Sequence, residues 1–486
     1  MQRITPQTDW PLYGVTKTRA MEAHALSTQP HPCLMQRAGE SVARFAMAWA
    51  PHAQRIWIAC GPGNNGGDGL HAAVHLHQRG KSVWLTLCSG KQPSMDTLAA
   101  LDRVEKAGIP IHDQAPTDWD LGIDALLGLG HDRPPEGRLQ QHLQLLRQAP
   151  SPLLCVDVPT GLMSDSGQWL DPAASPQRAF PLATLSLLTL KPGLFTHQGK
   201  DAAGEVWFDD LTHPVGPSHS QDAWLISPAS LRPKAHHSHK GSHGQVLVLG
   251  GAPGMTGAAI LAGLAALQGG AGKVFLGLLN PHALAGVQTQ YPSLMAMALD
   301  PNTNLAHTVV CGCGGGDAVR PHLPRVLSRS VQLVLDADAL NAIAQDSALQ
   351  TLLARRASAG LATVLTPHPL EAARLLGCAV AQVQLDRLAA AQELAQRWSC
   401  VVVLKGSGTV IAAPNETPAI NPTGNARLAC AGTGDVLAGL VGAAMARGLA
   451  ARPAAHLAVF QHGLAAERWP DNKTFSAEAL AQAVRL

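Results

Sequence analysis

The sequence has no uninterrupted apolar stretch of membrane-spanning length; even Ala258–Ala271 is broken by glycine and glutamine. Residues Met1–Trp10 carry polar side chains and proline where a secretory signal needs an apolar core, so export is not expected. An excess of charge is missing too. Lys and Arg total 36 against 34 Asp and Glu, a formal net charge of +2, which gives no electrostatic reason to expect nucleic acid or a membrane as partner. A disulfide framework is absent: nine cysteines, odd in number and scattered, suit a reducing compartment, and a cytoplasmic location is expected. No internal repeat is evident. What remains is a 486-residue chain, 46% hydrophobic and only 14% charged, which describes two or three compact domains with large buried surfaces.

Apolar strand-like runs alternate with helical or loop segments in two halves. In the first they fall at 55–60, 82–87, 120–126, 153–158 and 185–190. In the second they fall at 245–250, 273–278, 308–311, 331–336, 363–366 and 400–404. This alternation predicts an α/β protein, with parallel sheets covered by helices on both faces. Between the halves, residues 213–240 are rich in Pro, Ser and His without periodicity, which places a boundary near residue 220. His236, His237 and His239 have no Cys or carboxylate beside them to complete a ligand set and read as linker.

Gly61–Gly69 (Gly-Pro-Gly-Asn-Asn-Gly-Gly-Asp-Gly) follows the first strand and precedes a helical pattern expected over Leu70–Arg79. Five glycines in nine positions let backbone N–H groups turn towards an anion, with a positive helix terminus behind it. Asn64, Asn65 and Asp68 add oxygens suited to a cation or a sugar hydroxyl. Two further strand ends carry Asp124, followed by His131, Arg133 and Pro134, and Asp157, followed by Thr160. An Asp at a strand end also caps turns, so either residue alone is open between structure and function. Three polar strand ends on one sheet edge point to a ligand site.

In the second half, Gly432-Thr433-Gly434-Asp435 opens a long apolar helix. Its N–H groups suit a transferring phosphoryl group, and Asp435 suits a general base; the alternative is a plain helix cap. Lys405-Gly406-Ser407-Gly408-Thr409 sets a cation, glycines and hydroxyls at another strand end, without Walker A spacing. Cys311 and Cys313 form a Cys-x-Cys pair whose sulfurs are expected on opposite faces, so no metal site is expected there.

These motifs resemble the bifunctional NAD(P)H-hydrate repair enzymes. GxGNNGGDG, D-A-x-x-G-x-G and D-x-P-[S/T]-G resemble the epimerase module of that family, a Rossmann-like three-layer domain, over residues 1–215. Lys240–Gly251, Thr256–Ala258, Asp336–Asn341, Thr366–Pro369 and the two phosphoryl motifs resemble its dehydratase module, a ribokinase-like α/β domain, over residues 222–486. The resemblance implies epimerisation of the R and S hydrates of NADH and NADPH, and dehydration of the S form at the expense of ADP, giving AMP and phosphate.

It further implies that Asn64, Asn65, Gly66, Gly67 and Asp68, with Gly128, Leu129, Gly130, His131, Asp132, Arg133 and Pro134, contact the hydrated dinucleotide. Asn65, Asp124 and Thr160 hold a potassium ion, and Asp157 touches the nicotinamide end of the substrate; Asp157 is expected here to be the proton-transfer group in epimerisation as well. In the dehydratase, Ala258, Gly316, His368 and Asp435 contact the hydrate, with Asp435 the base; His368 has helix capping as its alternative. Lys405, Gly406, Ser407, Gly408, Thr409 and Gly434 bind ADP, with magnesium. A homo-oligomer is expected. Departures from the family pattern are Leu129, His131, Thr160, Ser293 and Leu370, and Gly312-Cys313-Gly314-Gly315-Gly316 where G-P-G-L-G is usual. The rival reading is a ribokinase-fold small-molecule kinase fused to a non-catalytic Rossmann-like binding module.

Overall fold

The computed structural model describes all residues except 29–31, 89, 91–93, 172–174, 176, 179, 214–219, 230 and 232–235. It divides into two compact units, residues 10–223 with 1–5, and residues 224–486 with 6–9. Parts of the expected linker (214–219, 230 and 232–235) lie outside the described residues.

In the first unit eight strands are ordered Gln2–Arg3, Glu205–Asp209, Leu182–Leu187, Leu153–Val156, Leu121–Ala125, Arg55–Cys60, Ser82–Leu87, Ile111–His112. All neighbours are parallel except the first pair. Alternation along Arg55–Cys60 explains why it is central. Ile56, Ile58 and Cys60 enter the core under the helices Leu34–Trp49 and Asn64–Gln78, while Trp57 points the other way onto Trp119 and His142. Strand order reverses between Arg55–Cys60 and Leu121–Ala125. Such a switch point leaves a crevice beyond the strands' carboxyl ends.

The second unit repeats this logic with different sequence. Its strands run Met295–Ala298, Lys273–Leu278, Gln245–Gly250, Thr308–Cys311, Gln332–Leu335, Ala362–Leu365, Val401–Leu404, Val410–Ala412, Ala419–Ile420. The first seven are parallel and the last two antiparallel. Val246 and Val248 pack under Thr433–Ala446, whereas Leu247 and Leu249 face the opposite helical layer. The switch point lies between Gln245–Gly250 and Thr308–Cys311.

Several expectations are corrected. The first glycine-rich segment is not a loop followed by a helix from residue 70: the helix begins at Asn64, with Gly63 as its N-cap. Four of its five glycines, Gly61, Gly66, Gly67 and Gly69, serve packing. A Cβ on Gly66 would overlap the Gly61 carbonyl, and one on Gly69 would lie 2.6 Å from Ala125 Cβ. The strand expected at 185–190 ends at Leu187, because Leu188 turns into positive φ (+62°). Residues 223–225, read as linker, form a strand in which Trp224 and Leu225 pair with Ala419 and Ile420. Cys311 and Cys313 do face opposite layers, but not through strand alternation, which puts residues two apart on one face. Gly312, at φ +118°, turns the chain between them.

Candidate functional site

The crevice of the first unit brings together the three strand ends. Asp124 is fully buried; its Oδ1 accepts hydrogen bonds from Thr160 Oγ1 (2.7 Å) and the Leu126 N–H (3.2 Å), its Oδ2 from the Thr160 N–H (3.0 Å). Burial pushes its carboxyl up, and the bonds from Thr160 pull the other way. Thr160 Oγ1 also meets the Leu127 backbone. Asn65 lies against Gly128, where a Cβ would sit 2.9 Å from Asn65 Oδ1, and its buried Nδ2 has no hydrogen-bond partner. Carboxylate, hydroxyl, amide and carbonyl oxygens on neighbouring residues make a hard donor set, which fits an alkali cation better than a soft metal.

Asp157 occupies positive φ (+63°), a conformation that costs a non-glycine residue about 1–3 kcal/mol and concentrates at functional sites. Its carboxylate accepts bonds from the Leu187 N–H (3.0 Å) and from Lys191 Nζ. Lys191 is fully buried and also donates to the carbonyls of Leu187 (2.8 Å) and Thr189 (2.9 Å). Burial and the charge of Asp157 push the Glu22 and Asp68 carboxyls up, with Lys191 opposing both. Sequence reasoning missed Lys191 and Glu22. A lysine inside an apolar run, just past a strand, is the signal that could have found the first.

His131 is tied down. Nδ1 donates to the Gly128 carbonyl (2.7 Å) and Nε2 accepts from the Gly161 N–H (2.9 Å), so the ring straps the 128–134 loop to the segment after Asp157. Burial lowers its proton affinity, in keeping with this neutral form. Gly130 takes φ +84° beside the Arg19 guanidinium, and Asp132 and Arg133 are exposed.

The second unit gathers its motifs around Lys405. Nζ reaches Asp336 Oδ1 (2.7 Å), lies 3.9 Å from Glu371 Oε2, and would stand 3.3 Å from a Cβ on Gly434. Asp336 also accepts from Thr366 Oγ1 (2.7 Å). Burial alone would push the ammonium down, but Asp336 and Glu371 outweigh it and hold Lys405 above its ordinary value. Gly432, at φ +92°, is the N-cap that sets Asp435 in the first turn of Thr433–Ala446. Burial and then the charge of Asp336 push Asp435 up to about 7, against a hydrogen bond from Cys313. The Cys313 sulfur and carboxylate oxygens of Asp336 and Asp435 all lie within 4.8 Å of one another.

The 312–316 turn carries Cys313 here because its backbone is glued to the neighbouring strand end. The Gly251 and Ala252 N–H groups donate to the Cys313 (3.0 Å) and Gly314 (2.8 Å) carbonyls. Gly316 donates to Asp338 (2.8 Å), and a Cβ on Gly314 would lie 2.8 Å from Ala258 Cβ. His368 takes the capping role. Nδ1 accepts from the Leu370 and Glu371 N–H groups, and Glu371 accepts back from the His368 N–H.

Two α/β units, each with buried carboxylates at a glycine-lined switch point, define a two-module enzyme for nucleotide-like ligands. Comparison with known proteins narrows this class. A family model described as "NAD(P)H-hydrate dehydratase" matches residues 246–485, and one described as "YjeF-related protein N-terminus" matches residues 32–193. The bifunctional NAD(P)H-hydrate repair enzyme Nnr of Escherichia coli is 35% identical over 459 residues, covering 89% of this chain and 84% of that protein. The enzyme of the same name from Moorella thermoacetica is 35% identical over 485 residues, covering 90% and 88%. A solved ADP/ATP-dependent NAD(P)H-hydrate dehydratase from Bacillus subtilis, co-crystallised with ATP and Mg2+, is 30% identical, covers 52% of this chain and 91% of its own, and has a TM-score of 0.45. The chain belongs to the bifunctional NAD(P)H-hydrate repair enzymes, with the epimerase-type and dehydratase-type modules both present. This favours repair over the kinase alternative.

Proposed function

We propose that residues 1–215 interconvert the R and S hydrates of NADH and NADPH, and that residues 222–486 dehydrate the S form using ADP, releasing AMP and phosphate. The observation that carries the reading is Asp435: a half-buried carboxyl pushed up to about 7, at a helix N-terminus, beside the cluster of Lys405, Asp336 and Glu371. A base poised near neutral pH is what activating a ring hydroxyl requires. Asp435 takes the proton of that hydroxyl, whose oxygen attacks the terminal phosphorus of ADP as the bond to AMP breaks. The phosphate ester then leaves with the electron push of the ring nitrogen, and the neighbouring carbon gives up a proton. Lys405, Gly406, Ser407, Gly408, Thr409 and Gly434 hold the nucleotide; the magnesium it carries offsets phosphate charge. Ala258, Gly316 and the outward face of His368 contact the hydrate.

In the first unit, Asn64–Asp68 and Gly128–Pro134 hold the damaged dinucleotide. Asp157, oriented by Lys191, takes the hydroxyl proton as the bond from the hydroxyl-bearing carbon to the ring nitrogen opens to an aldehyde, then returns it when the nitrogen recloses on the other face. Asn65, Asp124 and Thr160 would hold potassium, which supplies fixed positive charge beside the anionic cofactor. A cytoplasmic location and a homo-oligomer complete the proposal, on composition and family resemblance. The test is a pair of variants assayed separately. Asp157→Asn should lose R-to-S exchange and keep dehydration of pure S hydrate; Asp435→Asn should lose about 10²–10⁴ in dehydration and keep exchange. If Asp435→Asn loses less than tenfold, the base assignment is wrong.

A further inference from the structure

Behind the Lys405–Thr409 turn lies an arginine that no motif flagged. Arg387 opens the helix Arg387–Trp398 and is only 2% exposed. Its Nη2 donates to the carbonyls of Leu404 (3.2 Å) and Lys405 (3.3 Å), and its Nη1 to Gln384 Oε1 (2.9 Å). The guanidinium fills the place where residue 406 would carry a side chain: a Cβ on Gly406 would lie 2.8 Å from both Nη1 and Nη2. Gly406 takes φ +142°, open to glycine and closed to most other residues.

We infer that Arg387 is the positioning residue of the nucleotide turn; this rests on the reading that residues 405–409 hold ADP. In a trans peptide the N–H points opposite to the C=O. With the Lys405 carbonyl drawn to Arg387, the Gly406 N–H faces away from the arginine and is left for a ligand on the other side of the turn. The Lys405 N–H is itself fixed on the Pro367 carbonyl (2.9 Å). Arg387 therefore sets the direction of one anion-facing donor and removes two carbonyl dipoles from the phosphate side. Nη2 grips two successive carbonyls while Nη1 holds Gln384, a spread of acceptors over two rigidly linked nitrogens that the single nitrogen of an ammonium cannot match. A glycine is required at 406 because the arginine occupies the space behind it.

The experiment is calorimetric titration of the full-length protein with ADP, and separately with S hydrate, for wild type, Arg387→Lys and Arg387→Met. The dissociation constant for ADP should rise roughly ten- to hundredfold in Arg387→Met and less in Arg387→Lys, with hydrate binding unchanged. In turnover, KM for ADP should rise further than kcat falls. Should Arg387→Met not fold, Arg387→Lys decides: ADP affinity equal to wild type overturns the inference. So does an equal weakening of ADP and hydrate binding, which is what a merely structural role produces. Wild type that binds no ADP overturns the nucleotide reading itself, a result distinct from either.

Discussion

At the residue scale, burial sets the proton affinity of the groups that do the chemistry. Asp435 is pushed up to about 7 by partial burial and by the charge of Asp336, with the Cys313 hydrogen bond opposing the rise. A carboxyl raised this far is protonated, and useless as a base, below neutral pH. Dehydratase kcat/KM should therefore fall about tenfold per pH unit on the acid side of pH 7 and level off above it. Cys313→Ala, which removes the opposing bond, should move that limb to higher pH. A profile flat from about pH 5.5 to 8.5 would contradict the assignment. Asp435 and Lys405 are legible in the sequence because their chemistry needs glycines around them, and the glycines mark the place. Lys191 and Arg387 are not, because their telling partners lie far along the chain: Asp157 is 34 residues from Lys191, and the Leu404 and Lys405 carbonyls are 17 and 18 residues from Arg387. His131 is legible as a departure, but not as a strap, since its Gly161 partner lies 30 residues away.

At the scale of elements, most central strands are legible as apolar runs, because strands buried on both faces need no polar alternation, but Glu205–Asp209, paired with Leu182–Leu187, lies in none of the expected runs. Ends and edges are less so. The short strands Ile111–His112, Met295–Ala298, Val410–Ala412 and Ala419–Ile420 carry too few residues to show a pattern. The start of Asn64–Gln78 is hidden because three of its first six residues are glycines, which read as loop until their packing is seen. That packing yields a paired test. Gly66→Ala overlaps the Gly61 carbonyl and should destabilise the first unit by about 1–3 kcal/mol. Gly63→Ala has no heavy atom within 4 Å of its new Cβ and should cost at most about 1 kcal/mol in thermal unfolding, the N-cap preference for glycine over alanine. If Gly63→Ala instead abolishes epimerisation without loss of stability, the segment is an anion cradle after all.

At the scale of the whole molecule, one chain carries two switch-point sites with different chemistry, and the family to which it belongs joins them in that order. On the proposed function, the first unit supplies the stereoisomer the second consumes. One measurement tests it most directly: incubation of the full-length protein with mixed R and S hydrates and ADP, following the return of dihydronicotinamide absorbance, with uncatalysed exchange subtracted. Wild type should convert the whole mixture, Asp157→Asn should stop at the S fraction, and Asp435→Asn should recover almost none. Wild type that halts at the S fraction, or Asp157→Asn that runs to completion, would contradict the account.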